Sequence, residues 1–265
     1  LIMLQPDPGS ALVFSAFYFP LLREGLNFTF LIIFFSLLTL FFISLSFEFI
    51  ESTGIIGILF LIIYFILKRF ISKIKIWPFI LTFIFSVGFS FSADYIFNNL
   101  FEQRHRDRIN IVIGKNVDVQ GVGYNINQSK IAIGSGGLKG KGFLKGTQTK
   151  GDFVPEQQTD YIFSTVGEEW GFLGSITVIF MFCFLIIRIL KRAEKQNSKF
   201  RRVFSYGVAG LIFVHFFVNI GMSLGIVPTI GIPLPFISYG GSSLLAFSLM
   251  IFIHLNFDAN RLNEW

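Results

Sequence analysis

Uninterrupted apolar runs of about 20 residues recur along this chain, each long enough to cross roughly 30 Å of hydrocarbon at about 1.5 Å per residue. Such a run has few folding options. Hydrocarbon offers no water to pair with backbone amides and carbonyls, so a segment of this length satisfies them internally as an α-helix. Composition points the same way: 53% of the 265 residues are hydrophobic and 14% charged, with mean hydropathy +0.67, against roughly 25% charged in soluble domains. The expected fold is an all-α polytopic membrane protein, a multi-span transmembrane helix bundle with a long extracytoplasmic loop that contains a re-entrant or half-helix element.

Two function classes fall away early. The 37 Phe residues lie inside the apolar runs and not between basic residues, so they read as lipid-facing bulk and no nucleic acid partner is expected. The +6 net charge sits between helices, where positive-inside asymmetry accounts for it. Cys183, the single cysteine, allows no disulfide or Cys-based metal site within the chain.

Charge sets the topology. Lys68, Arg69, Lys73 and Lys75, and the segment from Arg188 through Lys191, Arg192, Lys195, Lys199, Arg201 and Arg202, mark cytoplasmic loops. Spans are then expected at 9–22 (inward), 28–47 (outward), 54–67 (inward), 77–100 (outward), 161–190 (inward), 203–225 (outward) and 242–256 (inward). Residues 101–159 form a large extracytoplasmic loop region, within which the glycine-rich stretch 128–138 is too short for an ordinary span. Residues 228–235 and 238–243 form a Pro- and Gly-rich interruption between two spans; non-helical backbone at that depth must be buried or face water, which makes it a cavity wall.

The outer loop alternates glycines, a few cations and a few carboxylates. Glycine lets backbone amides approach an anion, and Lys supplies point charge for phosphate. The P-loop pattern fails, because Gly140-Lys141 is followed by Gly142 and not by Ser or Thr. Asp160 stands at the membrane boundary just before an apolar helix. It, or Thr159, can be an N-cap; alternatively the Asp160 carboxylate can act as a general base on a hydroxyl of a lipid-linked substrate. Glu168 and Glu169 lie about two turns deeper, where lipid exposure is costly, so one of them is expected to face the interior and pair with a cation. His215 and Asn219, four apart on one helix, suit interhelical hydrogen bonds better than a metal pair lacking a third ligand.

Five segments carry a resemblance: Gln5-Pro-Asp-Pro-Gly-Ser, Gln128-Ser-Lys-Ile-Ala-Ile-Gly-Ser-Gly-Gly-Leu-Lys-Gly-Lys-Gly, Pro155-Glu-Gln-Gln-Thr-Asp-Tyr-Ile-Phe, Gly167-Glu-Glu and Pro233-Leu-Pro-Phe-Ile-Ser-Tyr-Gly-Gly-Ser-Ser. In this order they resemble the SEDS family (shape, elongation, division and sporulation). The resemblance implies one SEDS-type membrane domain over 1–265, with two extra transmembrane spans at 28–70. It also implies roughly four further spans before Leu1, and Leu1, which is not an initiator Met, is read as the start of an N-terminally truncated fragment. The implied activity is a peptidoglycan glycosyltransferase of the bacterial cytoplasmic membrane that polymerises lipid II on the extracytoplasmic face during cell elongation. The implied partner is a class B penicillin-binding protein, and a divalent cation, Mg or Mn, is a possible cofactor. Asp160 falls on the family's essential aspartate. Lys141, Glu156, Arg106 and Arg108 fall on motif positions implied to face the same cavity, and Gln128 and Ser129 join them as substrate-binding candidates. Glu168, Glu169, Ser238, Tyr239 and Gly240 are expected to support the site. Pro8 and Ser10 depart from the family's usual Leu and Thr. A lipid II flippase, or a scaffold that activates a penicillin-binding protein, are the alternatives; the flippase would need polar residues through the full depth of the membrane, and the inner halves of most spans are apolar.

Overall fold

A computed structural model describes residues 8–70, 75–115 and 122–261. Gln5 to Asp7 of the opening motif, Lys73 and Gly121 lie outside the described residues. Among the described residues six helices are long and apolar enough to cross a membrane: α3 (Thr29–Ser46), α4 (Phe49–Phe70), α5 (Ile76–Asn99), α9 (Ile162–Ala193), α10 (Lys199–Leu224) and α11 (Gly241–Ala259). These agree with six of the seven expected spans to within a few residues. The seventh does not form one rod. Residues 9–22 fall into α1 (Pro8–Phe14), a 3₁₀ turn (Ser15–Phe17) and α2 (Tyr18–Arg23), and Gly9–Arg23 is shorter than the other six. The chain is a multi-pass membrane protein.

The chain forms two compact units. The second, Asn27–Asn116, contains α3 and α4 packed on α5, followed by α6 (Gln103–Ile113). Aromatic edges fill its helix crossings, as at Phe60–Phe83 and Tyr64–Phe79, while Ser44 donates to the carbonyl of Ser90 across the α3–α5 contact.

The first unit is organised around α10, whose apolar window is 61% buried against 11–17% in the other five spans. Small residues at Gly207, Ala209 and Gly210 allow close approach, as expected where lipid competes equally for apolar surface and packing decides association. At Gly210 an added Cβ would lie 2.8 Å from the Ala16 carbonyl, so α10 and the 3₁₀ turn touch backbone to backbone. On the other side Phe182 stacks on Phe216, with ring centroids 5.0 Å apart, inside a core that includes Phe163, Ile212, Leu234 and Phe247. Phe180, Phe184 and Cys183 stay exposed on α9, as lipid-facing residues should.

The reading of 101–159 as one outer loop with a weak half-helix is refined. It contains α6, α7 (Val122–Ser135) and the single turn α8 (Thr147–Lys150). Helix α7 begins upstream of the expected 128–138 and buries Gly123, Ile126, Ser129 and Ala132 against α9 and α10. It stops where Gly136 meets the Gly167 carbonyl, 2.0 Å from where a Cβ would stand.

At the basic end of the unit Arg23 grips Glu194 with two bonds of 2.7 Å, Tyr206 donates to the same carboxylate, and Arg202 reaches Glu24 at 2.9 Å. The Arg23 hydrogen bonds, then that of Tyr206, lower the Glu194 carboxyl to about 2 from an ordinary 4.5. A carboxyl depressed in the folded state stabilises it above the unfolded value, and that contribution fades as pH falls through the folded one. In thermal scans, therefore, the gap between the native protein and Glu194→Gln is expected to be constant above pH 5 and to close between about pH 4.5 and 2. Both partners are substantially exposed, so the gap is small.

Candidate active site

The polar end of the first unit is built on an interruption of α9. The expected helix over 161–190 is continuous by sequence, but at Gly171 φ is 65° and ψ −158°, a conformation open to glycine alone. There the loop after α7 docks edge to edge. Lys141 and Gly142 donate their amides to Glu168 and Glu169 carbonyls at 3.0 and 2.9 Å, and Phe172 donates to the Gly137 carbonyl at 2.9 Å. The close approach requires glycine: a Cβ on Gly140 would stand 2.1 Å from the Glu169 carbonyl oxygen, and one on Gly146 would stand 2.6 Å from Glu168 Oε2.

Glu168 lies at the centre of this junction with no exposed surface. Its Oε1 accepts the Lys141 ammonium at 2.7 Å and the Gln148 amide at 2.9 Å, and its Oε2 accepts the Thr149 amide at 2.8 Å. The expected inward Glu paired with a cation is thus Glu168, and Glu169 is buried beside it. The expectation of free amides and a free ammonium for an anion is corrected. The amides of residues 140–142 bond carbonyls of the chain, and Lys141 bonds Glu168 and Thr147, because docking a loop onto an opened helix consumes the donors that a phosphate would need. Ser129, expected to touch substrate, is fully buried and donates to the Ser223 carbonyl at 2.9 Å, tying α7 to α10. Gln128, its neighbour, is half-buried.

Asp160 is held differently. The N-cap position of α9 falls on Tyr161, one residue past Asp160 and two past Thr159. Three main-chain clamps fix the position instead. The Asp160 amide donates to the Glu156 carbonyl at 3.0 Å, Asn219 Nδ2 donates to the Asp160 carbonyl at 2.9 Å and to that of Ile232 at 2.8 Å, and Ser238 donates to the Thr159 carbonyl at 2.6 Å. Tyr239 adds its amide to the Gln158 carbonyl at 2.8 Å, and the Tyr161 hydroxyl lies 2.9 Å from Thr229 Oγ1. Asn219 and His215, which contacts the Pro233 carbonyl at 3.0 Å, do form hydrogen bonds, but to the non-helical segment and not to a neighbouring helix as expected. The Asp160 carboxylate then rests against Gly231, 3.3 Å from where a Cβ would project.

Two hollows flank this loop. One, of about 300 Å³, is lined by Asp152, Glu156, Gln158, Thr159 and Tyr239 among others. The other, of about 250 Å³, is lined by Ser10, His215 and the segment Ile230 to Pro233, which bears out the Pro-rich interruption as a cavity wall. Glu156 and Phe236 hold positive φ, 53° and 64°, on the two loops that meet here. Strain of this kind costs of order 1–3 kcal/mol per residue and persists where surrounding contacts enforce it. Gly240 is the N-cap of α11, at φ 163°. Arg106 and Arg108 belong to the second unit, where Arg106 donates to the Asn98 carbonyl and to Gln103 Oε1, both at 2.6 Å, and braces the corner between α5 and α6. No cluster of three His, Cys, Asp or Glu able to hold a metal occurs among the described residues.

The sequence profile of the FtsW, RodA and SpoVE cell cycle proteins matches residues 29–263. The chain belongs to this family. FtsW/RodA/SpoVE relatives include MrdB of Escherichia coli K12, named a peptidoglycan glycosyltransferase, which is 44% identical over 159 residues covering 58% of this chain and 43% of MrdB. RodA of Treponema pallidum (strain Nichols), also named a peptidoglycan glycosyltransferase, is 36% identical over 176 residues covering 66% of this chain and 41% of that protein. The chain therefore spans less than half the length of these relatives. A solved chain from a peptidoglycan synthase complex, described as coordinating polymerization and crosslinking, shares 31% identity and a TM-score of 0.52 over 71% of this chain and 51% of its own. Asn219 and Gly231 shape the surroundings of Asp160 in ways that spacing alone does not reveal: Asn219 is legible as a bonding residue, whereas the contact of Gly231 with Asp160 arises only on folding.

Proposed function

We propose that this chain carries the catalytic aspartate of a peptidoglycan glycosyltransferase that polymerises lipid II into glycan strands during cell elongation. The observation that carries the reading is the placement of Asp160: its main chain is clamped by Glu156 and Asn219, and its carboxylate borders a non-helical wall at the polar end of the bundle. In the proposed step Asp160 takes the proton of the acceptor sugar's 4-hydroxyl. The resulting oxygen forms a bond to the anomeric carbon of the lipid-linked donor, the carbon–oxygen bond to diphosphate breaks, and the configuration inverts. The charge of the departing diphosphate requires donors. Lys141 keeps a third N–H beyond those bonded to Glu168 and Thr147, and its pairing makes it a hydrogen-bond donor more than a net charge. Glu156 and Gln128 are proposed as further substrate contacts.

The described residues build no protein-only metal cage. A magnesium or manganese ion would be shared between a carboxylate and donor phosphates, as Mg²⁺ commonly is, and would neutralise the diphosphate. The basic residues cluster at the end of α9 opposite Asp160, which supports an extracytoplasmic active face in the bacterial inner membrane. A class B penicillin-binding protein is the proposed partner. The test is lipid II polymerisation by the full-length protein with that partner, native against Asp160→Asn at equal complex yield. Retained strand formation in the variant would turn the assignment toward a flippase or scaffold.

Gly231 supplies an independent check. With φ at 77°, an alanine there is strained by about 1–2 kcal/mol, and its methyl would press on the Asp160 carboxylate. Gly231→Ala is expected to lower polymerisation at least about tenfold, while Gly54→Ala, with open space around it, leaves the rate unchanged.

A further inference from the structure

The basic residues at the end of α9 divide into two sets. Arg192 pairs with Asp258 at 3.5 Å, Arg202 with Glu24 at 2.9 Å and Arg23 with Glu194 at 2.7 Å, while Arg201 lies over the Phe257 ring. These contacts join neighbouring elements of the first unit. Arg188, Lys191 and Lys195 have no carboxylate within ion-pair distance among the described residues, and all three are exposed. Positive-inside asymmetry alone would scatter such charges around the helix end. Here they fall on one stripe.

That stripe is continuous with an apolar one. Phe180, Cys183, Phe184 and Ile187 precede the basic residues at spacings of three and four, so they share one face of α9 with Arg188 and Lys191, and Lys195 follows in the turn after the helix. Together they line a hollow of about 420 Å³. Phe180 and Phe184 stack, with centroids 6.4 Å apart, and form a flat apolar floor for roughly the first half of the groove. The second half presents three unpaired cations beside Arg192, which pairs with Asp258, and the acid between Lys191 and Lys195 in the chain, Glu194, is already gripped by Arg23. Apolar length followed by clustered positive charge matches an amphiphile with a negative head, and basic pockets at the cytoplasmic side of spans suit anionic headgroups.

We propose that this face of α9 binds an anionic phospholipid, its acyl chain along Phe180, Phe184 and Ile187 and its phosphate among Arg188, Lys191 and Lys195. The site lies on the basic side of the membrane, at the end of α9 remote from Asp160, and does not depend on the catalytic reading. A zwitterionic lipid would satisfy the apolar half and leave the three cations without a counter-charge.

Native mass spectrometry of the full-length protein in neutral detergent tests this with dioleoylphosphatidylglycerol and dioleoylphosphatidylcholine as probes. The phosphatidylglycerol adduct is expected to persist preferentially, and the triple variant Arg188→Gln, Lys191→Gln, Lys195→Gln to weaken it about tenfold or more. The matched variant Lys68→Gln, Arg69→Gln, Lys75→Gln removes the same charge elsewhere and is expected to change it less than about twofold. Equal loss in both variants, or no preference in the native protein, would overturn the proposal. A second measurement needs no charge variant: a bimane on Cys183 should be quenched more deeply by phosphatidylglycerol with brominated acyl chains than by the brominated phosphatidylcholine. Equal quenching would overturn the site even if the triple variant failed to fold.

Discussion

Asp160→Asn should abolish glycan strand formation while leaving the protein folded and bound to its partner. The substitution preserves shape while removing the negative charge and the ability to accept a proton. The clamps on this residue run through its main chain, from its amide to the Glu156 carbonyl and from Asn219 to its own carbonyl, so they survive. General-base catalysis typically contributes about 10²–10⁴-fold, and a loss of at least a hundredfold in polymerisation, at unchanged complex yield and melting temperature, is the expected result. Asn219→Leu supplies the contrast. It removes both bonds that hold the Asp160 and Ile232 carbonyls together at a fully buried position, so it should lower stability and activity together, and Asp160→Asn activity alone.

The second large effect is expected at Lys141. Its ammonium neutralises Glu168, which has no exposed surface, and removing one partner of a buried ion pair leaves an uncompensated charge. Such losses run at about 3–5 kcal/mol, and the remaining Gln148 and Thr149 amides on Glu168 place Lys141→Met near about 3 kcal/mol by thermal unfolding in detergent. Adding Glu168→Gln to that variant should recover most of the loss, since a neutral amide needs no counter-charge. A Lys141 that served substrate alone would leave stability unchanged on substitution and give the second change nothing to rescue.

Much of the architecture was legible in the order of residues, because the bilayer imposes a one-dimensional rule. Apolar length decides what crosses and Lys/Arg placement decides which end is inside, so six spans emerged with nearly the right ends. The Pro-rich segment 228–235 was legible as a cavity wall for a similar reason, since backbone that cannot be helical at that depth must line a cavity or be buried. Asp160, Glu168 and Asn219 were conspicuous as polar groups where polar groups are costly. What each of them bonds was decided only by folding. Sequence left Asp160 as cap or base, and folding puts the N-cap of α9 one residue later, at Tyr161. Sequence read the glycines around residue 140 as an anion cradle, whereas in three dimensions they let a loop seal the opened turn of α9 at Gly171. Glycine permits both uses equally. Which one is realised depends on whether the donors freed by the loop find carbonyls on a neighbouring helix, and that neighbour is brought near only by the packing of α7 and α9 around α10.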